Sequence, residues 1–405
     1  MGHLPAIEGL RGVAVLWVIA FHYLSVRTAA GVADPWIAAV DSIDPLARIL
    51  RNGYLGVDLF FLITGFLLVL PWLRNADAGI AAPSAREFYR RRARRILPAY
   101  WTHLLLLAAV FIPLIVGSDA WARAWRFYAF NFAAHASLLH YTSPLTSASM
   151  SVNGALWTLA LEAQWYLLLP LVAPLFVRFP RITGIVLVAS AFAWRWLAAN
   201  DLDALVRFHL GLAAIWDVPE AAIRHFLATQ LPGYFAHFAF GMGCGLAWWR
   251  WRHRPVRRGV AAWGWIGMAV AGMALLYQVH IPGSLRFGLP AWFAVALALA
   301  AMMLALVSSG TPWGTRVLAW RPLAFVGRIS YSAYLYHLPL LLVMQRHASD
   351  AGFFTLPAYL AVVLATAWLS WRYVEAPFML SSTPRAEADR QGGDDGKGLE
   401  QRHAP

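Results

Sequence analysis

Long apolar segments constrain this chain more than any other feature of its sequence. A membrane-spanning α-helix needs about 20 mostly apolar residues, within a range of about 17–25. The 405 residues contain ten candidates, namely 10–26, 55–73, 96–116, 156–177, 182–199, 226–249, 260–279, 288–307, 329–344 and 354–371. The composition agrees, since 60% of the residues are hydrophobic and only 13% are charged, against about 25% in a soluble domain. The sequence therefore predicts an all-α, polytopic membrane protein with about ten transmembrane helices.

The basic residues predict the orientation of this helix bundle. The formal net charge is +13, which in a soluble protein would suggest nucleic-acid binding. Here the arginines cluster between apolar segments, as cytoplasmic loops facing anionic lipid do. If the loop with Arg90–Arg95 is cytoplasmic and the helices alternate, 23 of the 33 basic residues lie on the inner side. We therefore expect both termini in the cytoplasm, a lipid bilayer as partner, and no nucleic acid.

The domain organisation is expected to be simple. Residues 1–380 form one transmembrane domain, and the polar, charged and Gly-rich segment 381–405 is expected to be a disordered cytoplasmic tail. Cys244 is the single cysteine, which excludes intrachain disulfides and cysteine clusters. The histidines show no metal-ligand spacing, so no metal is predicted. Gly241 and Gly245 have the spacing of a close helix contact, although a plain Gly-rich membrane helix has the same pattern.

Charged and titratable residues inside the apolar segments are candidates for function, because burying them in a bilayer is costly. Arg11 and His22 lie eleven residues apart in the first segment, so they share one helix face at a separation of roughly 16 Å. Histidine is the side chain best suited to remove a proton from a hydroxyl near neutral pH. The structural alternative is a histidine bonded to a backbone carbonyl and an arginine reaching the headgroups.

Two carboxylates are predicted at the depth of His22. Glu162 in the fourth segment and Asp58 in the second both lie near the outer end. Either could orient the imidazole and stabilise its protonated form. The structural alternatives are a buried hydrogen bond for Glu162 and a helix N-cap for Asp58. We interpret His22, Glu162 and Asp58 as the candidate catalytic group.

A basic loop and a late histidine complete the candidate residues. The loop FYRRRARRILPAYW is part of a run with six arginines, and arginine suits bidentate contact with phosphate oxygens. It either marks the cytoplasmic side alone or binds an anion such as the phosphates of coenzyme A. His337 precedes Pro339 in the ninth segment; it could line a cavity or simply be packed. We assign His337 and Tyr334 to a substrate channel.

These motifs resemble the acyltransferase 3 family of bacterial membrane O-acyltransferases, over residues 7–378. The matching blocks occur in order: GLRGVAVLWVIAFH, GVDLFFLITGFLL, RRARRILPAYW, LWTLALEAQWYLLLP, GRISYSAYLYHLPLL and YVEAPF. Thr64 and Thr158 stand where the family more often has serine, and Trp165 where it has phenylalanine.

The resemblance implies a ten-helix domain in the bacterial inner membrane. It implies an acyl-CoA donor, most commonly acetyl-CoA, that enters from the cytoplasm, and an acceptor hydroxyl at the outer face on a surface glycan, lipid-linked sugar or secreted metabolite. It also implies that His22 is the base and that Arg11, Arg92, Arg95 and Glu162 are important. The sequence leaves two rival interpretations open: a transporter or flippase without chemistry, and a membrane sensor or scaffold. It does not identify the acceptor, the acyl chain length, a covalent intermediate or the oligomeric state.

Overall fold

The computed structural model describes residues 4–147, 153–212, 218–252, 266–267, 269–270, 285–308, 316–347 and 352–380. Every regular element in these ranges is helical, as predicted. The first helices are α1 (Pro5–Ala29), α2 (Pro35–Asp41), α3 (Asp44–Arg51), α4 (Leu55–Asp77), α5 (Ala85–Leu106), α6 (Ile112–Val116), α7 (Ser118–Arg123), α8 (Trp125–Ala136), α9 (Pro144–Ser147) and α10 (Trp157–Arg178). They are followed by α11 (Pro180–Asn200), α12 (Asp203–Leu212), α13 (Glu220–Ala228), α14 (Leu231–Trp251), α15 (Leu285–Ser308), α16 (Arg321–Arg328), α17 (Ser330–His347), α18 (Thr355–Ser370) and α19 (Ala376–Leu380).

Six of the described helical segments are long and apolar enough to cross a membrane. They are Pro5–Ala29, Leu55–Asp77, Ala85–Val116, Gly154–Arg178, Pro180–Asn200 and Gly352–Met379. The third combines α5 and α6 through a π-helical turn at Leu107–Phe111, and the sixth includes a second π-helical turn at Trp371–Glu375. The count of ten and the cytoplasmic termini stay predictions. The predicted span 260–279 falls almost wholly outside the described residues, as does the tail 381–405.

Two predicted spans have different boundaries in the structure. The segment 226–249 is divided, because α13 ends at Ala228 and α14 begins at Leu231. Proline at the first turn of α14 favours this new start, since proline lacks the N–H that an interior helical position must donate. The segment 329–344 begins at Ser330, directly after the separate helix α16, and continues to His347.

The centre of the bundle is α4, which packs closely against α14. Most of the apolar part of α4 is buried. A Cβ added at Gly65 would overlap the Phe238 carbonyl oxygen, and one at Gly241 would overlap the Leu62 carbonyl oxygen. The two backbones can therefore approach this closely only because both contact positions are glycine. The close-packing interpretation of Gly241 is confirmed.

Two further glycines set the register between α1 and α16. A Cβ at Gly12 would overlap the Leu323 carbonyl oxygen, and one at Gly327 would overlap the Glu8 carbonyl oxygen. Because α17 follows α16 directly, it continues alongside the second half of α1. His22 is ten residues beyond Gly12 and His337 ten residues beyond Gly327. Both imidazoles lie at one depth, since Nε2 of His337 is 3.2 Å from Nδ1 of His22.

The buried side chain of Arg27 joins α1 to α17 at the far end of this contact. Arg27 donates to Asp34 at 2.9 Å and to the Gln345 side chain of α17 at 3.0 Å. The hydroxyl of Tyr23 also donates to Asp34 at 2.6 Å. The other carboxylate oxygen of Asp34 accepts from the backbone N–H of Trp36 at 2.8 Å and so caps α2. Glycine contacts at one end and Arg27 at the other hold α1 and α17 in register.

The contact between α4 and α14 can be tested with two matched substitutions in α14. Gly241→Ala forces a Cβ against the α4 backbone and should lower the free energy of unfolding by about 1–3 kcal/mol. Gly243→Ala adds a Cβ that meets no described atom within 4 Å, so it should be neutral or stabilising by up to about 1 kcal/mol. Thermal unfolding of the purified protein in detergent measures both. Equal midpoints for the two variants would contradict the packing argument.

Candidate active site

A cavity of about 320 Å³ lies between α1, α4, α5, α10 and α17. Its apolar wall comes mainly from α4, with Phe60, Phe61, Leu67 and Leu68 among the lining residues. Its polar wall combines the following side chains, from five helices: Arg11, Thr64, Arg91, Arg92, Arg95, Thr158, Glu162, Tyr166, Ser330, Tyr331 and Tyr334. Charged groups that are far apart in sequence thus meet in one enclosed space.

The three predicted anion-binding arginines all line this cavity. Arg11 reaches it from α1, and Arg92 and Arg95 reach it from α5. Because they lie three residues apart, Arg92 and Arg95 share one face of α5. Arg92 packs against the Phe88 ring, with its guanidinium carbon 5.9 Å from the ring centroid. The Nε of Arg92 is buried without a hydrogen-bond partner among the described residues. This N–H is a donor available to a bound anion.

Two carboxylates balance part of this positive charge. Glu162 and Glu375 are both within electrostatic range of Arg11. Glu375 is buried in the π-helical turn after α18, where the Ser332 hydroxyl donates to it. The other lining arginine, Arg91, pairs with Glu87 outside the cavity at 3.2 Å. Three guanidinium groups against two carboxylates leave a net positive charge, which favours an anionic ligand.

The structure places Glu162 among the arginines and not beside His22. Its Oε1 accepts a hydrogen bond from the Thr64 hydroxyl of α4 at 3.0 Å. It also accepts one from the hydroxyl of Tyr166, one turn further along α10. The contacts described for His22 involve the Val18 carbonyl and His337, and no carboxylate. The expectation that Glu162 meets His22 is therefore wrong, because its face of α10 points towards α4 and the cavity.

The imidazole of His22 is paired with a second imidazole. His22 Nδ1 lies 3.0 Å from the Val18 carbonyl oxygen and 3.2 Å from Nε2 of His337. His337 Nδ1 lies 2.7 Å from the Tyr334 carbonyl oxygen. Carbonyl oxygens only accept, so in each ring the proton lies on Nδ1. The Nδ1–H of His22 is therefore shared between the Val18 carbonyl oxygen and Nε2 of His337. Nε2 of His22 keeps its lone pair and can accept a proton.

Tyr334 separates the cavity from this histidine pair. Its ring lines the cavity and lies 5.5 Å from the His337 ring and 6.1 Å from the Phe60 ring, between centroids. Its hydroxyl donates to the Ala155 carbonyl at 2.9 Å and accepts from Thr158 at 3.0 Å. Of the two predicted channel residues, Tyr334 lines the cavity, whereas His337 is fully buried behind it. His22 is not among the lining residues either.

Asp58 belongs to a different cluster on the opposite side of α4. Its Oδ1 lies 2.7 Å from Nε2 of the buried His237 of α14, at the distance of an ion pair but without the alignment of a hydrogen bond. On α4, Gly56 faces Ala14 and Val18 of α1. Asp58 is two residues after Gly56, so at about 100° per residue it lies on the face of α4 that points away from α1. The expectation that Asp58 orients His22 is therefore wrong, and so is its N-cap interpretation, since Tyr54 holds that position.

Several polar residues of the site were missed in the sequence. Tyr166 could have been found, because it follows Glu162 by four residues on one helix face. Glu375 lies in the YVEAPF block and is buried in the structure. A carboxylate beside an apolar segment indicates a functional residue, so Glu375 could also have been found. No short sequence pattern predicts the position of Tyr331, which depends on how α17 packs against α5. The pairing of His22 with His337 likewise depends on how α1 and α17 pack.

Comparison with known proteins gives consistent relatives. The peptidoglycan O-acetyltransferase OatA of Listeria monocytogenes is 24% identical over 402 residues, covering 93% of this chain and 56% of the relative. YrhL of Bacillus subtilis, named as a candidate peptidoglycan O-acetyltransferase, is 25% identical over 396 residues, covering 93% and 55%. The chain thus spans little more than half the length of these relatives. No solved structure matches it.

A family model described as an acyltransferase domain matches residues 4–374. This range contains the arginines of the cavity and both imidazoles, and it begins and ends close to the limits of the sequence blocks. The match confirms the resemblance that the sequence blocks indicated. The chain belongs to the acyltransferase 3 family.

Proposed function

We propose that this protein is a bacterial inner-membrane O-acyltransferase that moves an acyl group from acyl-CoA to a hydroxyl of a cell-envelope molecule. Family membership and relatives named as O-acetyltransferases support this reaction class and favour acetyl as the acyl group. One observation carries the site assignment. Tyr334 lines the arginine-containing cavity and also lies beside His337, whose imidazole is paired with that of His22.

The donor binds by its phosphates in this proposal. Arg11, Arg92 and Arg95 form the positive part of the cavity, and the unpartnered Nε of Arg92 fits a phosphate oxygen. The pantetheine arm then extends along the apolar wall that α4 provides. Thr64 and Tyr166 hold Glu162 in place, so its carboxylate attracts the guanidinium groups of Arg11 and Arg92 from a fixed position. Glu162 is thus a positioning residue for the arginines.

His22 is the general base of the proposed reaction. Its Nε2 accepts the proton of the acceptor hydroxyl while the oxygen attacks the thioester carbonyl carbon. An ester bond forms and the carbon–sulfur bond breaks. The proton then passes from His22 to the departing sulfur, which leaves as a free thiol. His337 accepts from Nδ1 of His22, so it fixes the ring and stabilises the positive charge during transfer.

The ring of Tyr334 is proposed to move during this reaction. It lines the cavity and lies 5.5 Å from the His337 ring, between centroids, so we infer that the thioester reaches His22 when this ring turns aside. Two hydrogen bonds, to Ala155 and from Thr158, hold the ring in its observed place. We infer that donor binding replaces these contacts, which would couple opening of the path to the presence of donor.

The acceptor is proposed to be an envelope glycan, because relatives are named for peptidoglycan O-acetylation. A lipid-linked sugar or a secreted metabolite has the same reacting hydroxyl. The direct assay uses purified protein in detergent with acetyl-CoA and a soluble peptidoglycan fragment, and it detects the new ester. Ester formation without a closed compartment excludes a transporter or flippase that has no chemistry. Failure of every hydroxyl acceptor, with intact acetyl-CoA recovered, would exclude the proposed reaction.

Replacing the base should stop acyl transfer. His22→Ala removes the lone pair that accepts the proton, so kcat should fall by at least roughly 100-fold, while membrane insertion and the donor KM change little. The assay above measures both constants. His347→Gln is the matched control, since His347 is a more exposed imidazole of α17 that donates to the Leu114 carbonyl. Activity of His22→Ala near that of wild type would remove His22 from this role.

The arginines should act on the donor phosphates. Arg92→Gln loses a charge-assisted contact, so the KM for acetyl-CoA should rise roughly tenfold or more, with a smaller change in kcat. Acetyl-pantetheine lacks the phosphates, and its KM should not change. Arg90→Gln is the control, because Arg90 pairs with Glu87 at 2.5 Å and is not among the lining residues. An equal rise in KM for both donors would show that Arg92 does not bind the donor phosphates.

The positioning role of His337 has its own signature. His337→Leu removes the acceptor for His22 Nδ1, so kcat should fall by roughly tenfold or more while the donor KM is unchanged. His337→Gln keeps an acceptor oxygen and should recover part of the loss. A purely structural role predicts that both variants lower protein yield and unfolding temperature together with activity. Equal kcat for leucine and glutamine at wild-type yield would contradict the hydrogen-bond role.

A further inference from the structure

A second, larger recess lies outside the cavity that contains the arginines of α1 and α5. This groove lies between α11, α14 and α15 and has a volume of about 1320 Å³. Its walls are almost entirely apolar and include Val188, Phe192, Leu246 and Leu297. Ile182 and Ile185 on its rim are more than 60% exposed. Such a surface is stable in a bilayer and would be unfavourable in water.

Two glycines widen the groove. A Cβ added at Gly184 of α11 or Gly243 of α14 meets no described atom within 4 Å. Gly243 therefore differs from Gly241 and Gly245 of the same helix, which lie against the α4 backbone. The space beside Gly243 is not used for packing within the described residues.

Both arginines of the groove lie at one end of it. Arg195, near the end of α11, donates to the Gly233 carbonyl at the start of α14 at 3.0 Å. The two helices are therefore antiparallel, and the start of α11 lies beside the end of α14. Arg181 occupies the first turn of α11 and Arg250 the last turn of α14. Neither forms an ion pair with a described carboxylate.

The length of the groove matches one leaflet of a bilayer. From Arg181 to Phe192, eleven residues of α11 rise by roughly 16 Å. The hydrocarbon core of a bilayer is about 30 Å thick, so one leaflet contributes about half of that. At the end away from the arginines, the rings of Phe192 and Phe293 meet with centroids 5.7 Å apart. The groove thus has two arginines at one end, apolar walls along its length and two phenylalanine rings at the other end.

The geometry points to a binding site for one anionic phospholipid of the surrounding bilayer. Its phosphate lies between Arg181 and Arg250, and its acyl chains fill the groove past Gly184 and Gly243 towards Phe192. Basic pockets between transmembrane helices are the usual sites of anionic headgroups, and arginine contacts phosphate oxygens through two N–H groups at once. This site is separate from the cavity that contains Arg92, so the inference does not depend on acyl transfer.

The test compares lipids on the full-length protein purified in detergent and stripped of lipid. Phosphatidylglycerol and phosphatidylcholine with identical acyl chains are added separately, and native mass spectrometry measures the bound fraction. Wild type should retain one phosphatidylglycerol in preference to phosphatidylcholine. The double variant Arg181→Gln, Arg250→Gln should bind phosphatidylglycerol roughly 30-fold more weakly, since each arginine contributes about a factor of five.

A second variant tests the apolar part of the site. Gly243→Leu places a side chain in the groove from a position where an added Cβ meets no described atom within 4 Å, so it should reduce retention of both lipids while leaving the unfolding temperature near that of wild type. The controls are Arg316→Gln and Leu171→Phe, at exposed positions that do not line the groove. Both should bind phosphatidylglycerol as wild type does.

Several outcomes would overturn the site. One is equal retention of the two lipids by wild type, which would mean that binding does not depend on the headgroup charge. Another is unchanged binding in the double arginine variant or in Gly243→Leu. A third is displacement of phosphatidylglycerol by polyprenyl phosphate at much lower concentration, which would assign the groove to a lipid-linked phosphate instead. None of these results bears on acyl transfer, which the detergent assay measures separately.

Discussion

The balance of charge inside an apolar helix bundle is the constraint on which the rest of this structure depends. Three guanidinium groups and two carboxylates meet where α1, α5, α10 and the turn after α18 converge. Each would be costly to bury alone, and together they leave a positive surplus. Opposite charges hold the helices around the cavity, while the surplus makes the cavity a site for an anion. Structural and functional roles therefore fall on the same residues.

Glycine contacts help to decide where the imidazole of His22 points. Gly12 and Gly327 bring α1 and α16 into backbone contact, and Arg27 joins the far end of α1 to α17. Between these two constraints, His22 and His337 have to face each other at the same depth. A base that is held by packed helices keeps its orientation better than one held by a loop. The Val18 carbonyl then fixes which ring nitrogen carries the proton.

The central helix α4 separates three environments. One face contacts α1 near the histidine pair, another lines the arginine cavity, and a third packs on α14 beside the Asp58–His237 pair. The side of α14 away from this contact faces the apolar groove with Arg250 at its mouth. One helix can serve such different neighbours because its glycines admit backbones on two sides. The arrangement keeps the arginines of the cavity apart from those at the end of the groove.

The sequence by itself determined the fold class, the family and most of the individual candidates. Apolar segments, arginine clusters and ionisable residues within apolar segments are local signals, since each can be read from a short stretch of sequence. Arg11, Arg92 and Arg95 were found in this way. The sequence did not decide which candidates meet. How deep each residue lies and how each helix is rotated about its axis are set by side-chain and glycine contacts between helices. These contacts placed Glu162 with the arginines, Asp58 with His237, and His22 with His337.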